Sequence, residues 1–129
     1  MKSTLLLSAL ILIPPAVPQE TDCNTLEKCQ EAVTANRRSS LPHYRMGEIH
    51  FDQKSYQAAA NEFRETLNGD LMPKWVEVWA HVNLGKIFDS TGQRDRALNE
   101  YRLARRTGDN TRGALDEAAK YEKEPYHRE

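Results

Sequence analysis

The chain repeats itself. Shifted by 38 residues, "LPHYRMGEIHFDQKSYQAAANEFRETL" falls on "WAHVNLGKIFDSTGQRDRALNEYRLAR", with identities at His43/His81, Gly47/Gly85, Ile49/Ile87, Ala59/Ala97, Asn61/Asn99, Glu62/Glu100 and Arg64/Arg102. Met46/Leu84 and Phe63/Tyr101 are similar pairs in the same frame. A period of this length means a supersecondary unit that cannot bury its own apolar face and must stack on a copy of itself. Within each copy the apolar positions follow helical spacing on two segments, so the unit is a pair of amphipathic helices. In the second copy Gly92 supplies a left-handed helix end; in the first, Ser55 is the expected cap of the following helix and the turn is expected to be looser.

Gly47 and Gly85 lie inside helices at a cost of about 1 kcal/mol each, which calls for a packing reason. The expectation is that they let the paired helix approach, with Ala59 and Ala97 as the small residues of the facing helix and Phe63 and Tyr101 filling the gap a turn later. The excess length between the copies sits around "DLMPKWVE" and should add a turn to the helix that follows.

These residues resemble the tetratricopeptide repeat. The second copy carries Leu84, Gly85, Phe88, Gly92, Ala97, Tyr101 and Ala104, nearly the whole pattern; the first carries Met46, Gly47, Ala59 and Phe63, with His50, Lys54 and Thr66 as departures. The frame extends outward: "TLEKCQEAVTANRRSS" fits the second helix of a preceding unit, and "NTRGALDEAAKYEKEPY" the first helix of a following one, ended by Pro125. The expected architecture is an all-α, short right-handed solenoid: an N-terminal half-repeat at 20–40, repeat units at 41–69 and 74–108, and a capping helix and tail at 109–129.

Residues 1–19 stand apart. Lys2, the apolar run Leu5 to Ile13 and the pair Pro14 and Pro15 have the layout of a signal peptide, and the run falls short of the ~20 apolar residues of a membrane span. The chain is therefore expected to be exported, periplasmic or secreted, without a membrane span after cleavage. Its two cysteines, Cys23 and Cys29, then lie where a disulfide can form. Inside one continuous helix residues six apart sit ~9 Å apart along the axis and on different faces, out of reach of each other. The bond requires the helix to start after Cys23, with Asn24 as cap and Glu27 closing a capping box.

Candidate chemistry is sparse. His43 and His50 share a helix, and His81 is the repeat equivalent of His43, but all three occupy helix-packing positions and are read as structural; no metal and no cofactor is implied. Gly-rich phosphate loops, His-Glu-x-x-His and Gly-x-Ser-x-Gly are absent from the sequence. A net charge of −1 argues against bulk attraction to nucleic acid, and the arginines between Arg94 and Arg112 read as a solvated, salt-bridged outer face.

What the resemblance implies is a groove. In the family the first helix of each pair lines a concave surface that holds a peptide or helix, which here selects Tyr44, Arg45, Glu48, Phe51 and Asp52 with Trp79, Val82, Asn83, Lys86 and Asp89. Some members clamp a C-terminal carboxylate. Asn83 matches that clamp, whereas Tyr44, Glu48, Gly113 and Glu117 depart from it, so side-chain burial on Tyr44, Phe51 and Trp79 is the expected mode. The expected function is a non-catalytic protein-binding module or assembly adaptor of the bacterial cell envelope. The alternatives are a solenoid that self-associates weakly through its half-repeat helices and, further off, a small metal-dependent hydrolase on the three histidines.

Overall fold

The computed structural model describes residues 10–13 and 22–128, so the leader, apart from residues 10–13, lies outside the described residues. The described chain is all-helical and solenoid-like, its helices packed in pairs: α1 (Leu26–Ala35), α2 (Ser40–Asp52), α3 (Tyr56–Asn68), α4 (Trp75–Ser90), α5 (Arg94–Arg106) and α6 (Ala114–Lys123). Helices α2 with α3 and α4 with α5 make the closest pairs; α1 packs on α2 and α6 on α5. Helices α2, α4 and α6 also touch in sequence, forming one inner layer. Among the described residues, no helix is long and apolar enough to cross a membrane.

The period is physical. Shifted by 38 residues, α3 coincides with α5 at both ends and α2 ends where α4 ends, while α4 starts three residues earlier than α2 would. The extra residues do lengthen α4 by nearly a turn. The rest of the insertion folds back onto the start of α2. There Asp70 Oδ1 accepts the Ser40 N–H (3.1 Å), and Ser40 Oγ donates to the Thr66 carbonyl (2.7 Å) and accepts from the Leu71 N–H (2.9 Å).

The two helical glycines are seats for aromatic rings. A methyl at Gly47 would stand 2.6 Å from the Phe63 ring, and one at Gly85 would strike the Tyr101 ring. The backbone of the inner helix is thus in contact with the ring of the outer helix in the same repeat. This corrects the expectation that Gly faces Ala and the ring fills a gap beyond. Phe63, Tyr101, Ala59 and Ala97 are all fully buried, the alanines keeping the helix axes close enough for the ring to reach. Each ring so placed is worth ~1.5–3 kcal/mol of burial.

The inter-helix turns correct a second expectation. Lys54 (φ 58°) takes the same left-handed conformation as Gly92 (φ 74°). The hydrogen bonds match as well: Lys54 N–H to Phe51 and Ser55 N–H to His50 in the first repeat, Gly92 N–H to Asp89 and Gln93 N–H to Phe88 in the second. The first turn is therefore no looser than the second, and it carries the cost of a side chain at positive φ. Ser55 occupies the cap position of α3 but makes no side-chain cap bond.

At the N-terminus Cys23 and Cys29 are bonded, with Cα atoms 5.1 Å apart. The helix does begin after Cys23, but the cap is Thr25, whose hydroxyl accepts the Lys28 N–H (3.2 Å), in place of the Asn24 and Glu27 box. The disulfide packs with Met46, Leu26 and Val33 in a small core of its own.

Two substitutions check this packing. Gly85→Ala should cost ~1–3 kcal/mol, because the Tyr101 ring has to leave its seat; an unchanged urea midpoint would contradict the ring placement. Lys54→Gly should raise stability by ~0.5–1 kcal/mol by relieving the left-handed backbone, read as a higher denaturation midpoint with an unaltered slope.

Candidate functional site

Glu62 and Glu100, the sequence-identical glutamates of the outer helices, are the partners of the two equivalent histidines. His43 Nδ1 lies 2.7 Å from Glu62 Oε2 and His81 Nδ1 lies 2.7 Å from Glu100 Oε2. Each pair bridges the inner and outer helix of one repeat, as a packing role requires. Among the described residues no cluster of His, Cys, Asp and Glu is arranged to hold a metal.

The inner layer holds the residues expected to line a groove, but in unequal states. Tyr44 is 4% exposed, so it is a core residue and not an exposed anchor. Its ring stands edge-on to Trp75 (5.1 Å) and tilted to Phe63 (5.6 Å), and its hydroxyl accepts a hydrogen bond from Asn83 Nδ2 (3.2 Å). Burial, reinforced by the nearby Glu48 carboxylate, pushes its phenol well above the ordinary tyrosine range. Arg45 is held by Asp22 (2.8 Å) and Glu48 (2.8 Å), and its guanidinium covers the rings of Trp75 and Tyr44. The hydrogen bond from Arg45 holds the Asp22 carboxyl below the usual carboxylate range.

Trp79 is half-buried and donates its indole N–H to the Thr111 carbonyl (3.0 Å), tying α4 to the segment that precedes α6. Trp75 is likewise a packing residue, with Arg112 over its outer face. Lys86 pairs with Glu117 (2.8 Å) and points among the rings of Trp79, Tyr121 and Tyr126. Between α2 and α4 lies an open cleft of about 390 Å³, lined by Tyr44, Glu48, Phe51, Asp52, Phe63, Trp79 and Asn83.

Three positions near the inter-helix turn change together between the repeats, one on the inner helix and two on the outer. Phe51, Tyr56 and Phe63 of the first unit stand where the second has Asp89, Arg94 and Tyr101. In the first unit they form apolar contacts, Phe51 edge-on to Tyr56 at 5.8 Å. In the second they form a buried polar set. The Asp89 side chain is 1% exposed and accepts from Arg94 (3.0 Å), from the Tyr101 hydroxyl (2.7 Å) and from the Tyr126 N–H (2.9 Å). A buried carboxylate is tolerable only when so fully partnered. The tyrosine hydroxyl that Phe63 lacks needs a partner when buried, and Asp89 is that partner.

The tail completes the site, and it was not among the sequence candidates. Residues 125–128 run from α6 across α4 to α2, alternating exposed and partly buried. Tyr126 packs against Tyr121 (5.2 Å) and Phe51 (6.2 Å). Arg128 donates to the Phe51 carbonyl (2.5 Å) and lies over the Phe51 ring (5.1 Å). It also approaches the Asp52 carbonyl (3.3 Å), so the cation sits at the negative end of α2.

The arginine-rich outer face is only partly what its spacing suggests. Arg102 and Arg106 are exposed, but Arg94 turns inward to Asp89, Arg96 lies over Phe88 (4.1 Å) and Arg105 reaches Glu122 (2.9 Å). Arg94 and Arg105 find their partners on α4 and α6, while Arg96 also donates to Gln93 at the α5 cap (2.6 Å).

The Asp89 cluster gives a pH prediction. Burial and the Asp89 carboxylate raise the Tyr101 phenol far above its ordinary value of 10. The folded chain keeps a proton that the unfolded chain loses, so this stability is complete below pH ~10 and falls as pH rises above it. Tyr101→Phe should cost ~1–2 kcal/mol at neutral pH, since Asp89 loses a donor, and should show a smaller further loss between pH 10 and 11 than the parent. An identical alkaline loss in both would place the sensitivity elsewhere.

Comparisons with protein-family models, curated proteins and solved structures returned no match to this chain.

Proposed function

We propose that the chain is a non-catalytic protein-interaction module of the tetratricopeptide-repeat type, exported to the bacterial cell envelope, that holds a segment of a partner protein on its inner layer. The observation that carries this reading is the open cleft between α2 and α4, about 390 Å³, with aromatic walls from Phe51 and Trp79 and a rim bearing Glu48 and Asp52. A cleft of that kind suits a peptide side chain better than a reacting small molecule. Apolar surface gives affinity, and the carboxylates select a segment with a basic residue.

Export supplies the setting. The leader pattern of residues 1–19 and the Cys23–Cys29 bond both suit an oxidising compartment. The repeat itself supplies the mode, because stacked helix pairs present a continuous inner surface that no single unit has.

The test contrasts changes in the cleft with changes on the outer face. Asp52→Lys with Asn83→Ala alters the cleft; Arg102→Glu with Arg106→Glu reverses charge on exposed outer positions. The cleft variant should capture at least ~ten-fold less of the natural partner from an envelope extract, measured by quantitative mass spectrometry, and the outer-face variant should capture nearly as much as the parent. Retention by the first and loss by the second would move binding to the outer helices.

A further inference from the structure

We infer that residues 125–128 are an internal ligand of the groove, and that the partner is an extended segment carrying an aromatic residue followed two positions later by an arginine or lysine. This rests on the groove reading above and specifies its ligand.

The segment behaves as a bound peptide and not as an element of the solenoid. Helix α6 ends at Lys123, Glu124 is extended (φ −131°, ψ 129°) and Pro125 prevents the helix from continuing. Beyond it, Pro125 and His127 face solvent while Tyr126 and Arg128 face the inner layer, the alternation of an extended chain read by one surface. Three kinds of contact hold it: a backbone N–H on Asp89, an aromatic ring among Tyr121, Phe51 and the Lys86 ammonium, and a guanidinium on the last carbonyls of α2. These are the recognition modes by which extended peptides are bound: main-chain hydrogen bonding for register, and alternate side-chain pockets for specificity.

The arrangement also uses the difference between the repeats. Asp89 takes the tail's backbone and Phe51, its repeat equivalent, takes the ring. With two like residues at these positions one of the two contacts would be missing. Arg128 adjoins the open cleft: Phe51 and Asp52, which it touches, are two of the cleft's own walls. An incoming segment with the same spacing would meet the same groups and must first displace the tail.

A tail tethered by a few residues acts at an effective concentration of the order of millimolar, so even weak intrinsic binding masks the site. A competing peptide then binds more weakly by the fraction of molecules in which the site is open. Loss of the tail's two side chains should weaken its hold on the groove without unfolding the helices, since the backbone contact to Asp89 does not depend on them.

The probe is a fluorescein-labelled peptide of sequence Lys-Glu-Pro-Tyr-His-Arg-Glu, titrated by anisotropy into the full chain. The Tyr126→Ala, Arg128→Glu double variant should bind it at least ~ten-fold tighter than the parent does, and a peptide with Ala and Glu at the same two positions should bind neither. The single variant Arg128→Glu should fall between, and covers the case in which the double variant loses its helical circular dichroism. Equal affinity for parent and variant would overturn the masking while leaving a peptide-binding groove in place. Absence of binding to folded variants would overturn the ligand assignment, and the cleft is then judged by partner capture alone. Equal binding of the altered peptide would overturn the aromatic and basic specificity.

Discussion

Contact between an aromatic ring and a bare helix backbone sets the geometry of both repeats. Phe63 on Gly47 and Tyr101 on Gly85 fix how near the outer helix comes to the inner one and at what height it sits. The rest follows from that spacing: alanines at positions 59 and 97 are needed because a larger side chain would lift the ring off its seat, and the His43–Glu62 and His81–Glu100 pairs span a gap of constant width. The inner helices are thereby held as a layer, and only a layer can present Tyr44, Phe51, Trp79 and Asn83 to one cleft.

The second repeat adds a polar lock to that scheme. Asp89 is buried at the end of α4, and its charge is met by Arg94, by the hydroxyl of the ring that sits on Gly85, and by the backbone of the tail. One carboxylate therefore couples the packing of α4 on α5 to the position of the C-terminal segment. Nothing equivalent exists in the first repeat, where Phe51 and Tyr56 make the corresponding contact without charge. The two units share a backbone and differ in what they place at the C-terminal ends of the inner helices.

The period, the helix pairs, a further helix at each end and the disulfide were legible because each leaves a local or periodic trace in the chain. The role of the glycines was legible only in part: Gly47 and Phe63 are both visible as repeat positions, but that one sits on the other depends on the angle between two helices. Lys54 departs from that reading because propensity assigns a left-handed turn to glycine, whereas the pairing of α2 with α3 closes the same hydrogen-bonded turn in the first repeat. Asp89 reads as a solvent-facing acid on an inner helix; its partners lie 5, 12 and 37 residues away and no window contains them all. A signal did exist, the joint change of Phe51, Tyr56 and Phe63 to Asp89, Arg94 and Tyr101 between copies. The tail left almost none, because "PYHR" is too short for periodicity, and only its period-two placement of Tyr126 and Arg128 after Pro125 sets it apart.

The three-residue exchange has a consequence for how such an array can grow. Repeat proteins lengthen by duplication of a unit, and a duplicate is tolerated when every new junction meets the chemistry it had before. A copied first unit carries only apolar groups at these positions and inserts without a debt of charge. A copied second unit brings a buried carboxylate one of whose hydrogen bonds is supplied from outside the unit, by the Tyr126 N–H. The packing of the second unit thus depends on the segment after α6, a dependence the first unit does not have.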